Sequence, residues 1–345
     1  MNRAARRLTM LVGFLCAAQA HAAGPESPET TARVLGRAGA AVASSSDLSA
    51  LELDPAALAR LGAQIMASVT AISRADTVTP LGMRSERNRA EASVLPFVAA
   101  AMPIGHHATL AAGVAKDADA QLRFETAPPG ASSFSRLVVP LGIGVRLPGL
   151  FVGATARAER VQDVWGASGT AAAIVAPRAP IQLAVVVTTP AAGNAETPWV
   201  LRGGLRMAGG RVDGEIAGSW EGWSALPGHN DTGSIGAGLD IMLVPSWLTL
   251  RAGWSWAPAS VEPTLLSPSS FDLDHHTLAC GATVCTAGIC LDLAFAHAFA
   301  ATHAYSGEPA GRYEGHTDAV SLSLRLDFAD FRHARVSPTP DERSH

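Results

Sequence analysis

The chain has 345 residues, a formal net charge of −4 and 16% charged residues. That balance offers no basic surface for a polyanion and speaks against a nucleic-acid partner. Beyond residue 22 nothing runs for about 18 apolar residues free of charge or proline, so no helix spans a bilayer, and a membrane form of this chain has to be a closed barrel.

At the start, Arg3, Arg6 and Arg7 precede an apolar run from Leu8 to Ala18 and then Ala20-His21-Ala22, the small-x-small pattern of a signal-peptidase site. Residues 1–22 therefore read as an export signal. The apolar run is too short to anchor the chain across roughly 30 Å of hydrocarbon, and Gly13-Phe14-Leu15 ahead of Cys16 is a poor lipidation signal. Loss of its three arginines leaves a charge of about −7.

Residues 23–62 form a unit of their own, a polar leader followed by a helical stretch from Asp47 to Leu61 that is broken in two. Asp54 before Pro55 is a helix start: the carboxylate caps free N–H groups, and proline at the first helical position gives up none that was needed. Leu48, Leu51, Leu53, Leu58 and Leu61 carry more apolar surface than a short helix can hide from water. This segment has to dock inside something, and it has the look of a plug.

From Gln64 onward about fourteen strand-like segments follow, the length and even number expected of a bacterial transmembrane barrel. They are predicted at 64–72, 91–101, 107–117, 134–147, 150–160, 169–178 and 180–190, then at 198–208, 211–222, 231–244, 247–257, 275–285, 289–299 and 317–328. Tight turns such as Pro148-Gly149, Gly209-Gly210 and Ala287-Gly288 alternate with longer polar connections at 73–90, 118–133, 258–274 and 300–316, the asymmetry of inner turns and outer loops. In the last segment Val320, Leu322, Leu324, Leu326 and Phe328 share one face, opposed by Ser321, Ser323, Arg325 and Asp327. Trp254 and Trp256 near a strand end suit an interfacial aromatic girdle.

The polar faces together bring Arg202, Arg206, Asp213, Glu215, Asp240, Arg251, Asp292, Arg325 and Asp327 to one side of the sheet. In a barrel that side is the lumen; on a soluble sheet it is the solvated exterior. If Gly209-Gly210 is a two-residue turn, Arg206 lies directly across from Asp213 and the two form a cross-strand ion pair.

Three cysteines remain after the signal, an odd number, and their even spacing matches no metal pattern. Cys285 and Cys290 flank the Ala287-Gly288 turn on the lumen face, where a hairpin disulfide is geometrically open to them; small buried thiols packed as hydrophobes are the alternative. Cys280 faces the other way. The adjacent pairs His106-His107 and His275-His276 point to opposite faces and cannot readily share a metal. No nucleophile elbow is visible, and no catalytic residue, metal or cofactor is expected.

The chain resembles the FadL family of outer-membrane transporters for long-chain fatty acids and other hydrophobic compounds. The resemblance lies in Gly36 to Leu61, where Asp54-Pro55-Ala56 stands for the family's Asn-Pro-Ala, in Trp220 to Leu226, Leu248 to Val261, Cys290 to Phe299 and Gly311 to Phe328. It implies an all-β fold, a 14-stranded antiparallel transmembrane barrel over residues 63–328 with an N-terminal helical hatch plugging the lumen. It also implies cargo captured outside and released laterally or inward as the hatch shifts. The cargo would be hydrophobic small molecules, long-chain fatty acid among them. The other partners would be outer-membrane lipid and the barrel assembly machinery, and the location the outer membrane of a Gram-negative bacterium.

On that reading Leu51, Leu53, Leu58 and Leu61, with Asp54, Pro55 and Ala56, line or gate the passage. Three features depart from the family: the third and fourth outer loops, near 161–168 and 191–197, are short; Asp54 adds a charge; and a polar tail at 329–345, expected to be disordered, follows Phe328. A structural or general-diffusion barrel and a secreted soluble β-sandwich that binds a ligand are the alternatives.

Overall fold

The computed structural model describes residues 31–88, 91–124, 130–161, 163–192, 197–224, 229–261, 273–300, 303–305 and 311–328. The expected signal at 1–22 and tail at 329–345 lie outside them. The strands are β1 (Gln64–Pro80), β2 (Glu86–Arg87), β3 (Ser93–Ile104), β4 (Ala108–Phe124), β5 (Gly130–Leu147), β6 (Leu150–Val161), β7 (Val164–Val175) and β8 (Ile181–Thr188). They continue as β9 (Trp199–Gly209), β10 (Val212–Gly222), β11 (Thr232–Val244), β12 (Leu248–Ala257), β13 (His275–Thr286), β14 (Ile289–Ala300), β15 (His303–Tyr305) and β16 (Gly311–Asp327).

Apart from the short β2 and β15, each strand pairs antiparallel with its neighbours in sequence, and β16 returns to β1. That last ladder runs from Gln64 opposite Asp327 to Pro80 opposite Gly311. Fourteen strands thus close into one barrel with no free edge, the only sheet that can sit in hydrocarbon with its backbone satisfied. A single closed sheet is not a sandwich, and the soluble two-sheet alternative falls.

The faces are inverted relative to a soluble protein. In β8 the inward Gln182, Ala184, Val186 and Thr188 are buried, whereas the outward Ile181, Leu183, Val185 and Val187 are exposed, Ile181 to 58%. The same alternation puts Val320, Leu322 and Leu324 of β16 outside and Ser321 and Ser323 inside. So large an apolar surface is compatible with lipid and not with water. Trp165, Trp199, Trp220, Trp254 and Trp256 lie exposed toward the end with the long connections, and Trp247 sits at the short-turn end.

All fourteen expected strands are present, with corrected lengths. β1 continues to Pro80, β4 to Phe124, and β5 and β16 begin at Gly130 and Gly311, so much of the polar stretches 73–90, 118–133 and 300–316 is strand, not loop. Past the lipid-facing band both faces of a strand are wet. The apolar contrast that marks a strand in sequence therefore disappears although the ladder goes on. β7 spans 164–175 and not 169–178, because Pro177 cannot donate to a ladder.

Inside the barrel lies the N-terminal segment: α1 (Ala32–Leu35), α2 (Ala50–Leu53) and a 3-10 helix at Pro55–Arg60. The break falls at Asp54, whose Oδ1 accepts from the Ala56 N–H at 2.9 Å, with Pro55 at the first helical position. Leu48, Leu51, Leu53, Leu58 and Leu61 are all buried. α1 has no counterpart in the sequence reading, being one turn long in a glycine- and alanine-rich stretch without apolar periodicity.

Two outcomes follow. Detergent-extracted protein is expected to migrate faster unboiled than boiled on a denaturing gel; identical mobility would count against a closed barrel. Leu322→Arg, at the middle of the lipid face of β16, should cost about 2–4 kcal/mol of folding free energy in bilayers, measured by denaturant titration; an unchanged midpoint would place that face in water.

Candidate functional site

The inner wall is shaped to receive the N-terminal segment at a few side-chain-free spots. A β-carbon on Gly153 would come 2.2 Å from the Pro55 carbonyl carbon, and one on Gly253 would come 2.1 Å from that of Arg37. At Gly144 it would meet the Ala59 nitrogen at 2.4 Å. These separations exclude any other residue, so backbone packs directly on backbone.

Around these contacts, arginines run in both directions. From the wall, Arg146 of β5 donates to the Ala59 carbonyl at 2.6 Å and Arg157 of β6 to the Glu52 carbonyl at 2.5 Å. These are carbonyls that short helices leave without intrahelical donors. From the segment, Arg60 reaches Gln182 Oε1 at 2.5 Å and the Ala43 carbonyl at 2.9 Å. Thr109 donates to the Leu61 carbonyl, and the Ala32 N–H donates to Ser323 Oγ.

The densest contacts form a chain across β10 to β14. Glu215 accepts from the N–H groups of Ala43 and Ser44 at 2.7 and 2.9 Å and lies 3.8 Å from Arg37. Arg37, fully buried, also lies 3.1 Å from Asp240 and donates to the Ala40 carbonyl. Asp240 is further held by Arg33 at 3.5 Å and by Arg251 at 3.4 Å, and Arg251 continues to Asp292 at 3.1 Å. Asp292 also accepts from Thr283. With both signs buried together, each charge has a partner; removing one leaves the others stranded in a low-dielectric interior.

The structure thus gathers Glu215, Asp240, Arg251 and Asp292 into one network, as expected for the lumen face. Arg206 and Asp213 do pair, Nη2 to Oδ2 at 2.6 Å, yet they are not directly opposite as expected. Arg206 faces Glu215, and Asp213 faces Ala208. The turn residues are Gly210 and Arg211, because Gly210 takes the positive φ of 60° and Gly209 stays in the strand opposite Val212. The guanidinium therefore reaches its acid diagonally, which also relieves Asp213 of its like-charged neighbour Asp240 across the next ladder.

Cys285 and Cys290 stand directly opposite each other and are disulfide-bonded, with Arg325 Nη2 at 3.2 Å from Cys290 Sγ. Cys280 is free and exposed on the outer face. Asp327 lies opposite Gln64 at the seam. Arg33, Arg37, Arg60, Arg146, Arg157 and the wall glycines were missed. The available signal was glycine at inward positions within strands, which marks close backbone approach.

Two unlike sets of side chains line the inner wall around the segment. Arg136, Arg157, Glu159, Ser168 and Arg202 lie on the β5–β9 side, Ser168 donating to Glu159. On the strands flanking the seam, Ile72, Leu95, Ala279, Ala294, Ala296 and Ala319 pack in a buried cluster against Ala32 and Leu35 of α1. The β3–β4 ladder is shorter than the strands that form it. β3 pairs with β4 only from Phe97 opposite Ala115 to Ile104 opposite Ala108, and the β4–β5 register shifts between Lys116 and Ala118. Ser93 to Pro96 pair with β1 but have no ladder partner in β4.

This is a closed barrel with its own N-terminal segment packed against the inner wall. The fold is that of the FadL-type channels. A FadL homologue of Pseudomonas aeruginosa superposes with a TM-score of 0.78 at 13% identity, covering 89% of this chain and 100% of that one. The toluene transporter TodX of Pseudomonas putida gives 0.72 at 12% identity over 89% and 99% of the two chains. The toluene transporter TbuX of Ralstonia pickettii gives 0.62 at 11% over 88% and 99%. No protein-family model and no curated protein sequence matches the chain.

Arg37→Ala should weaken seating of the segment by about 3–5 kcal/mol, since Asp240 and Glu215 lose a buried cation. Hydrogen exchange should show faster exchange in residues 31–61 with the strands still protected. Unchanged protection of the segment would contradict the network as its main hold.

Proposed function

We propose that this protein is a Gram-negative outer-membrane channel through which hydrophobic small molecules diffuse down their gradient. In this reading residues 1–22 are a signal peptide, 23–62 a hatch, 63–328 the transmembrane barrel and 329–345 a polar tail. The observation that carries the reading is the seated N-terminal segment. A general-diffusion pore has no use for a stopper held by buried ion pairs, whereas a selective channel needs one. The fold likeness to channels whose names specify toluene transport supports the cargo class.

A long-chain fatty acid is the finer reading, supported by guanidinium nitrogens without acceptors on the inner face of the barrel. Arg202 is half-buried on β9, and Arg157, close enough for the two charges to repel, has its Nε buried without a hydrogen-bond partner while its Nη2 holds the Glu52 carbonyl. Two neighbouring guanidiniums inside a barrel suit a molecule that carries a carboxylate on a hydrocarbon chain. The short β3–β4 ladder beside Ser93 to Pro96 supports release sideways toward lipid. Leu51, Leu53, Leu58 and Leu61 would act as the gate's apolar surface, and Asp54, Pro55 and Ala56 as its fixed corner.

The inert-barrel reading has one observation in its favour: β6 ends at Val161 and β7 starts at Val164, leaving no long third outer loop to build a capture groove. Uptake separates the two. Cells carrying the gene should take up labelled oleate faster than cells lacking it, and Arg202→Met should reduce oleate uptake about tenfold, the worth of one charged hydrogen bond, while leaving toluene uptake intact. Equal oleate uptake with and without the gene would remove the fatty-acid reading; equal uptake of both compounds would favour the inert barrel.

A further inference from the structure

Asp54 sits beside one of the tightest contacts between hatch and wall. The next peptide, at Pro55, is the one pressed against Gly153. The side chain is fully buried; Oδ1 caps the Ala56 N–H, and Oδ2 has no hydrogen-bond partner. The charges acting on it are Arg60 on the following turn and Glu215 from β10. The arginines on the strands packed here aim elsewhere, Arg146 of β5 at the Ala59 carbonyl and Arg157 of β6 at that of Glu52. A carboxylate with one oxygen buried and unpartnered is costly, whereas a neutral carboxyl in the same place still caps the helix.

We propose that the proton on Asp54 latches the hatch: with the carboxyl neutral the segment stays seated, and ionisation loosens it from the wall. This goes beyond the transport reading and does not rest on any cargo. Burial pushes the Asp54 carboxyl up to about 7 against the Ala56 N–H and Arg60, which pull it down, while Glu215 adds to the rise. In an unseated hatch the group is hydrated and titrates near its ordinary 3.8. Between those values the unseated form sheds the proton while the seated form keeps it. Seating is therefore strongest in acid, weakens by up to about tenfold per pH unit as pH rises through this window, and levels off above the seated value.

The test uses the full-length barrel in lipid nanodiscs with spin labels on Ser46→Cys in the hatch and Ser246→Cys at the β11–β12 turn, in a Cys280→Ala background. Inter-label distances are read at pH 5, 6, 7 and 8. The expected result is one seated distance at pH 5 and a second, broader population growing toward pH 8, with Asp54→Asn holding the seated distance throughout. Asp54→Ser, which keeps a capping oxygen without a charge, is the second variant, and heat-modifiable gel mobility confirms that each barrel has closed. The same distances at pH 5 and pH 8 in the unsubstituted chain overturn the proposal, as does an unchanged pH response in both variants. Because position and not uptake is read, failure of the latch is distinguishable from failure of the transport reading.

Discussion

The seam between β1 and β16 governs the rest of the molecule. A sheet that leaves one edge unpaired cannot rest in hydrocarbon, so the last strand must find the first along its whole length, and Phe328 even donates to the Ala63 carbonyl where the ladder ends. Closure turns the usual arrangement inside out. Leucines and valines are sent outward, and the polar half of every strand is committed to an enclosed interior.

An enclosed polar interior needs either water or partners. Over much of the lumen the partners come from the segment just upstream of β1, which begins at the seam and folds back into the bore. Its arginines meet acids of β10 and β11, while arginines of β5 and β6 meet its unpaired carbonyls. Buried ion pairs of this kind add little net stability over well-packed apolar residues, but they fix one arrangement against its neighbours. Their function here is positional: they determine where the stopper sits.

Much of this was legible in the sequence because the alternation of faces has period two and is written residue by residue. Strand number, closure, the Asp54-Pro55 break and the membership of the lumen face all followed from local pattern. What did not follow depends on distances across the bore. Arg37 reads as one more polar residue in a turn until Asp240 and Glu215, about two hundred positions away, are brought beside it. The Arg206–Asp213 pair was correct in partners and wrong in register, because adjacent glycines leave open which of them turns. The disulfide was one of two readings until the strands placed the two cysteines face to face.

Gly153 and Gly253 restrict how the stopper can leave. Each is a gap one residue wide, and along the same inward rows the next positions, Thr155 on β6 and Arg251 and Ser255 on β12, carry side chains. A longitudinal shift by one strand pair would drive peptide backbone into those groups. Sliding of the segment along the axis is therefore sterically opposed at both glycines, whereas the rest of its hold on the wall is made of side chains that can rotate.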